Sequence, residues 1–272
     1  MRRCKSLDET SSVAAAAARV LGTADPHEKI LVARKAARDW RLGNLAHRFD
    51  VVMPDRPARP NRPELLRPAD MPRRGKGGSA RARVALLHAI AHIEFVAIDL
   101  AFDMLGRFGA GFPRAFTDDW MRVGSEEAMH FALLDRRLKA LGSHYGAMPA
   151  HDGLWEAAQD TSHDAIARLA VVPMVLEARG LDVTPAMIER FALSGDRATS
   201  RILTRTMNDE VIHVQYGVKW FESCCLALDV APQHHWQALV WQHFHGRIKA
   251  PFNDSARRQA GLTRDFYIPL AC

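Results

Sequence analysis

A chain of 272 residues, 48% hydrophobic and 25% charged, can fill one large core or two small ones, and is too ordinary for a fibrous or disordered protein. Its formal charge of +6 would suggest nucleic acid if it were spread widely, but between Val51 and Arg83 nine cations face three anions, so this segment carries the whole excess. Cys4, Cys224, Cys225 and Cys272 show neither a disulfide framework nor paired zinc spacing, and no apolar run reads as a bilayer span. Arg2, Arg3 and Lys5 ahead of Ala14–Ala18 resemble a leader, but the polar run from Asp8 to Ser12 interrupts it, which makes the cytoplasm the expected compartment.

Few local patterns favour strands, so the expected class is all-α. A short helix is expected from Glu9 to Leu21, ending at Gly22. Asp25 with Pro26 is an N-cap followed by proline at the first helical position, opening a helix to about Leu45. Pro54, Pro57, Pro60 and Pro63 then recur every third residue, as do Arg56, Arg59 and Arg62. That period suits polyproline II, with prolines on one edge and guanidinium groups on another. The segment reads first as an extended strap lying over the domain, and second as a docking strip for an acidic partner or RNA phosphate.

Core helices are expected at Ala80–Arg107, Asp118–Leu141, Gly153–Arg179 and Asp196–Leu228, with Gly142 and Gly180 as C-terminal stops. Thr184 and Pro185 are expected to start a short connecting helix, a later helix to cover Pro232–Ile248, and a tail to begin at Pro251. The organisation expected is N-terminal helices and strap over 1–79, a four-helix bundle over 80–230, and a C-terminal helix and tail over 231–272 packed on the bundle.

One pattern occurs twice within the four core helices. Glu94 is followed thirty-three residues later (127 − 94) by Glu127, which opens Glu127-Ala128-Met129-His130. Glu177 is followed at the same separation (210 − 177) by Glu210, which opens Glu210-Val211-Ile212-His213. Glu and His three apart share a helix face, so both can point at one ion, and the lone glutamates can bridge two. This is the ligand pattern of ferritin-like di-iron and di-manganese carboxylate proteins. Carboxylate with imidazole suits iron or manganese better than a thiolate-rich zinc site.

A chain with 13 histidines yields a stray Glu-x-x-His roughly once by chance, so either motif alone is weak, while the doubled set is specific. Glu94 and Glu177 also sit among apolar neighbours, where a carboxylate needs a compensating cation. The bland alternative is surface glutamates in salt bridges beside core histidines.

Other residues are read more modestly. Glu126 and Asp209 each precede a motif glutamate and are placed to accept the spare ring N–H of a ligating histidine, or else are solvated helix-edge charges. Pro173, one turn before Glu177, removes a backbone bond and predicts a kink or π-bulge. Thr206 offers a proton to bound oxygen species or bonds back to its own helix, and Tyr216 relays an electron or packs in the core. His88 and His92 face away from Glu94 and are assigned to packing or hydrogen bonding. His234, His235, His243 and His245 match no carboxylate pattern, and Asp160 with His163 is too far from Glu177 to join one site.

At these residues the chain resembles a bacterial family of ferritin-like proteins catalogued only as a domain of unknown function. The stretches that carry the likeness are HAIAHIEFVAIDLAFD from His88, EEAMHFALLDRRLKALGSHYGAMPAHDGLWEAA from Glu126, VPMVLEARGLDVTPAMIERF from Val172 and NDEVIHVQYGVKWF from Asn208. The arginine–proline segment and KAPFN from Lys249 look similar too. The resemblance implies a ferritin-like bundle with Glu94, Glu127, His130, Glu177, Glu210 and His213 as metal ligands. It carries no established reaction.

The leading functional expectation is an O2-activating oxidase or monooxygenase holding two iron ions, or manganese and iron, and acting on a small-molecule substrate with an unidentified electron donor. A cavity lined by Leu87, Ala91, Ile98, Leu134, Met174 and Met207 would favour an apolar substrate, although core packing accounts for the same residues. A ferroxidase or iron-handling protein is the second class, and a tRNA-modifying di-iron hydroxylase the third. The basic strap favours the last only mildly, since no RNA-binding motif accompanies it. No membrane partner is expected, and a homodimer is the assembly considered.

Overall fold

The computed structural model describes residues 11–72 and 79–272. The described residues are all-α: helices connected by turns and loops, with isolated bridges and no strand among them. Two compact units divide after Asp152, within the stretch expected to form one bundle. Cys4, Glu9 and the strap cations Arg73, Arg74 and Lys76 lie outside the described residues.

Residues 11–152 begin with α1 (Val13–Leu21), capped by the Ser12 hydroxyl accepting from the Ala15 N–H at 3.0 Å, and α2 (Pro26–Arg41), capped by Asp25. The second helix stops four residues before the expected Leu45. Gly43 takes a φ of +71°, and the N–H groups of Gly43 and Asn44 return to the carbonyls of Trp40 and Asp39. A glycine-dependent C-cap of this kind overrides the apolar pattern that continues to Leu45.

The chain then passes as a strap, without helix over residues 51–67, to α3 (Ala80–Phe108). A tight turn at Gly109–Gly111 leads to α4 (Arg114–Ala140), which starts four residues earlier than expected. So short a link sends α4 back along α3. The two helices meet closely at Gly124, where an added Cβ would lie 2.5 Å from the Phe102 ring. Gly142, φ +74°, ends α4 as expected.

The strap lies over this unit. Met53, Pro57 and Pro63 are buried, the Ala58 N–H donates to the Leu21 carbonyl at 2.7 Å, and Leu66 and Ala150 share a backbone bond of 2.8 Å. Arg59 turns inward to meet Asp99, Arg56 reaches Asp152, and Arg107 donates to the Pro54 carbonyl at 2.9 Å. Lys29, fully buried on α2, also pairs with Asp99, and burial pushes its ammonium below the usual lysine range despite that pairing.

By length and composition, Ala80–Gly111 is apolar enough to cross a membrane, which corrects the reading that no such run exists. Its apolar window is 72% buried within the protein. The helix is apolar on nearly every side because other parts of the protein surround it.

Residues 153–272 hold α5 (Gly153–Asp160), α6 (Ala165–Val171), a π-helical segment (Val172–Glu177) and α7 (Ala178–Leu193). One helix was expected from Gly153 to Arg179. It is interrupted after Asp160 because Asp164 caps a new start, accepting from the Ile166 N–H at 2.8 Å. Buried Arg168 reaches back to the Ala158 carbonyl and the Thr161 hydroxyl, holding the corner. The π segment appears where Pro173 predicted it, and the Trp236 indole donates to the Ala170 carbonyl at its entry.

Gly180 is no stop, and Pro185 starts no separate helix: both lie inside α7. Proline at 185 deprives the Leu181 carbonyl of its helical donor, and the Asn253 side-chain amide replaces it at 3.1 Å. The turn comes later, at Gly195 with φ +79°. Asp196 then caps α8 (Arg197–Leu228), and α9 (Pro232–His243) follows. This last helix ends five residues before the expected Ile248, whose carbonyl accepts instead from the Cys272 N–H at 3.0 Å. The tail folds into α10 (Asp254–Gln259) and α11 (Arg264–Tyr267). Near the end of α8 Cys225 is buried and its neighbour Cys224 half-buried.

Candidate metal centre

The α3–α4 pair brings three expected ligands together. Glu94, on α3, is 5% exposed; Glu127 and His130, on α4, are 1% and 0% exposed. His130 Nδ1 lies 3.3 Å from Glu94 Oε2 and 3.5 Å from Glu127 Oε2, and donor atoms of the three fall within 4.8 Å of one another. Two carboxylates gathered in a buried site repel each other, and imidazole is charged only when protonated. A divalent cation resolves both problems, and a mixed oxygen–nitrogen donor set suits iron or manganese. This buried Glu/His group has the donors and the spacing to hold a metal ion.

The second unit repeats the Glu-x-x-His part of this arrangement. On α8, His213 is fully buried and its Nδ1 lies 3.6 Å from Glu210 Oε1. The same ring nitrogen therefore faces carboxylate in both halves. Glu177, half-buried, is the last residue of the π segment. Gly217, one turn after His213, lets Pro173 approach, since an added Cβ would lie 2.5 Å from the proline Cβ.

Comparison with known proteins finds a family described as "Protein of unknown function (DUF455)" that matches residues 22–268. The chain belongs to this family. A relative in Haemophilus influenzae, named "Uncharacterized protein", is 42% identical over 211 residues, covering 75% of this chain and 73% of that protein. No solved structure matches.

In this DUF455 chain the residues next to the motifs pair along their own helices. Arg122 donates to Glu126 at 2.9 Å, and Arg205 to Asp209 at 3.1 Å, both in i, i+4 register. Thr206 is 5% exposed, and its hydroxyl makes no hydrogen bond among the described residues, so it does not bond back to its helix. Tyr216 lies half-buried with the Lys219 ammonium over its ring. Of the residues expected to line a substrate cavity, Leu87, Ala91, Ile98, Leu134 and Met174 are fully buried, and Met207 is half-buried.

His88 and His92 make hydrogen bonds away from Glu94. His88 Nε2 accepts from the Gly146 N–H at 2.9 Å, and His92 Nδ1 lies 2.9 Å from the Tyr145 hydroxyl. Burial pushes both imidazoles down, to about 4 and about 3, so they stay neutral at pH 7. Burial also pushes the Tyr145 phenol well above its ordinary range.

The sequence reading missed two buried aspartates. Asp99 lies five residues after Glu94 and meets Lys29 and Arg59; Asp182 lies five residues after Glu177 and meets Arg257 at 2.7 Å. The shared offset was a signal, because it extends the ligand repeat.

Proposed function

We propose that this protein is a di-metal carboxylate oxidoreductase, in which Glu94, Glu127 and His130 close with Glu177, Glu210 and His213 as one ferritin-like centre for two iron ions, or manganese and iron. What carries the reading is the buried convergence of two carboxylates on His130, with one carboxylate, Glu210, facing the same ring nitrogen of His213 in the second unit. Such a pair of ions, once bound, supplies the electrons that reduce O2 and the charge that stabilises the reduced oxygen.

The chain's own residues would exclude water and position the substrate. Phe95, Phe131 and Leu134, neighbours of the ligands along α3 and α4, are all buried and supply hydrocarbon to the first unit's core. Thr206 Oγ1 holds a proton one turn before Glu210, on the face of α8 that carries the ligands. Buried Trp120, two turns before Glu127 on the same face of α4, holds an indole N–H with no hydrogen-bond partner among the described residues. Each donor is suited to hydrogen-bond a polar group of a small, largely apolar substrate. The cytoplasm remains the proposed compartment.

Oxygen uptake tests this reading. Protein loaded with ferrous ion without air and then mixed with oxygenated buffer should consume O2 in proportion to the iron bound, and Glu94→Ala should abolish that uptake. Iron-loaded protein that consumes no O2 would contradict the oxidoreductase reading. Uptake that builds an iron mineral inside a large assembly would move the protein to iron storage.

A further inference from the structure

His163, His243 and His245 take no part in the carboxylate repeat, yet the fold of the second unit brings them together with Asp160. The chain turns tightly after α5: the Ser162 N–H returns to the Gln159 carbonyl at 3.0 Å, and the Asp164 N–H to the Thr161 carbonyl at 3.3 Å. Turns of this kind bring residues three apart to one side, as Asp160 and His163 are. Facing them, α9 ends at His243 and Phe244 takes extended backbone, with φ −106° and ψ 110°. Side chains alternate along an extended segment, so His243 and His245 also share a side.

Each pair meets the other. The His163 and His243 rings lie 5.8 Å apart between centroids, tilted by 57°. His245 Nε2 stands 3.5 Å from Asp160 Oδ2, too long for a strong hydrogen bond. Donors held about 2.0–2.1 Å from a tetrahedral ion lie about 3.3 Å apart, and two imidazoles on such an ion have centroids about 5 Å apart. Both contacts thus have nearly the spacing of neighbouring ligands. Asp160 and His245 are 49% and 80% exposed, so their side chains are free to turn and close the set. The backbone beneath is held: Arg168 donates to the Thr161 hydroxyl at 2.9 Å, and the Trp236 indole ties α9 to the Ala170 carbonyl at 3.1 Å.

We propose that Asp160, His163, His243 and His245 form a zinc site that clips the end of α9 to the corner after α5. Three imidazoles and one carboxylate suit a borderline divalent ion such as zinc. Four protein ligands fill a tetrahedral ion and leave no open position, so the site fastens the fold and performs no chemistry. An ion that binds only the folded chain stabilises it, and more so as its concentration rises. The site shares no residue with the six carboxylate-repeat ligands.

Titration of the full chain with zinc chloride, in competition with a chromophoric chelator, tests the assignment. Wild-type protein should bind one zinc ion per chain more than the His163→Ala, His245→Ala double variant, which is altered only at exposed positions. Either single change should weaken that ion at least about tenfold, the scale that even the outer partners of a metal site command. His234→Ala, at an exposed histidine outside the cluster, should leave it unchanged. Zinc should also raise the melting temperature of wild type more than that of the double variant. Equal zinc uptake by wild type and the double variant would overturn the proposal, as would an equal loss in His234→Ala. Retention of the ion by the folded Glu127→Ala, Glu210→Ala variant would separate this site from the iron ligands, and its loss there would overturn the assignment.

Discussion

Asp99 is fully buried, yet two cations from different parts of the chain converge on it: Lys29 from α2 and Arg59 from the strap. Removing one partner of such a group leaves buried charge uncompensated, at a cost of about 3–5 kcal/mol. Asp99→Leu should lose that much stability in urea unfolding, and the strap should become sensitive to protease between Pro54 and Leu66. His88 gives a pH signature. Its folded value is about 4 against an ordinary 6.5, so between those values the unfolded chain binds more protons. Stability therefore falls as pH drops from about 6.5 towards 4, and His88→Gln should flatten that part of the profile in melting experiments from pH 4 to 7. Neither Lys29–Asp99 nor Gly146–His88 was legible in the sequence, because their partners lie 70 and 58 residues apart and no local period links them.

Helix starts were the most legible feature at the element scale. Asp25, Asp196 and Pro232 announce theirs, and the structure begins helices beside each. The π segment was legible too, because proline inside an apolar helix must displace a backbone bond. Stops were harder to read. Gly180 looked like one, but its backbone stays helical and the turn waits for Gly195 with positive φ. Pro185 looked like a start, but Asn253 supplies the donor that its ring removes, and a tertiary partner of that kind leaves no local trace. Asn253→Ala should thus cost about 1–3 kcal/mol by leaving the Leu181 carbonyl unsatisfied, measurable as a shift in the urea midpoint. Gly217→Ala should cost about 1–3 kcal/mol by forcing a methyl group against Pro173, and should disturb Glu177 through the π segment they brace.

The whole molecule is written as a repeat. Glu94 and Asp99 have counterparts in Glu177 and Asp182, Arg122 and Glu126 in Arg205 and Asp209, and Glu127 and His130 in Glu210 and His213. Hydrophobic periodicity alone would have given helices without a purpose. The doubled carboxylate spacing pointed to the candidate site, because metal chemistry constrains residue type and helical phase together. The basic segment was less legible: its period showed a strap, but not that Arg59 turns inward to a buried aspartate. The central claim is that the two ligand sets serve one centre, and elemental analysis tests it most directly. Protein purified without added metal, or loaded anaerobically with ferrous ion, should carry about two iron or manganese ions per chain. The Glu127→Ala, Glu210→Ala double variant should lose them while remaining folded. Wild-type protein that takes up no metal under either condition, or a double variant that keeps its full complement, would contradict the account.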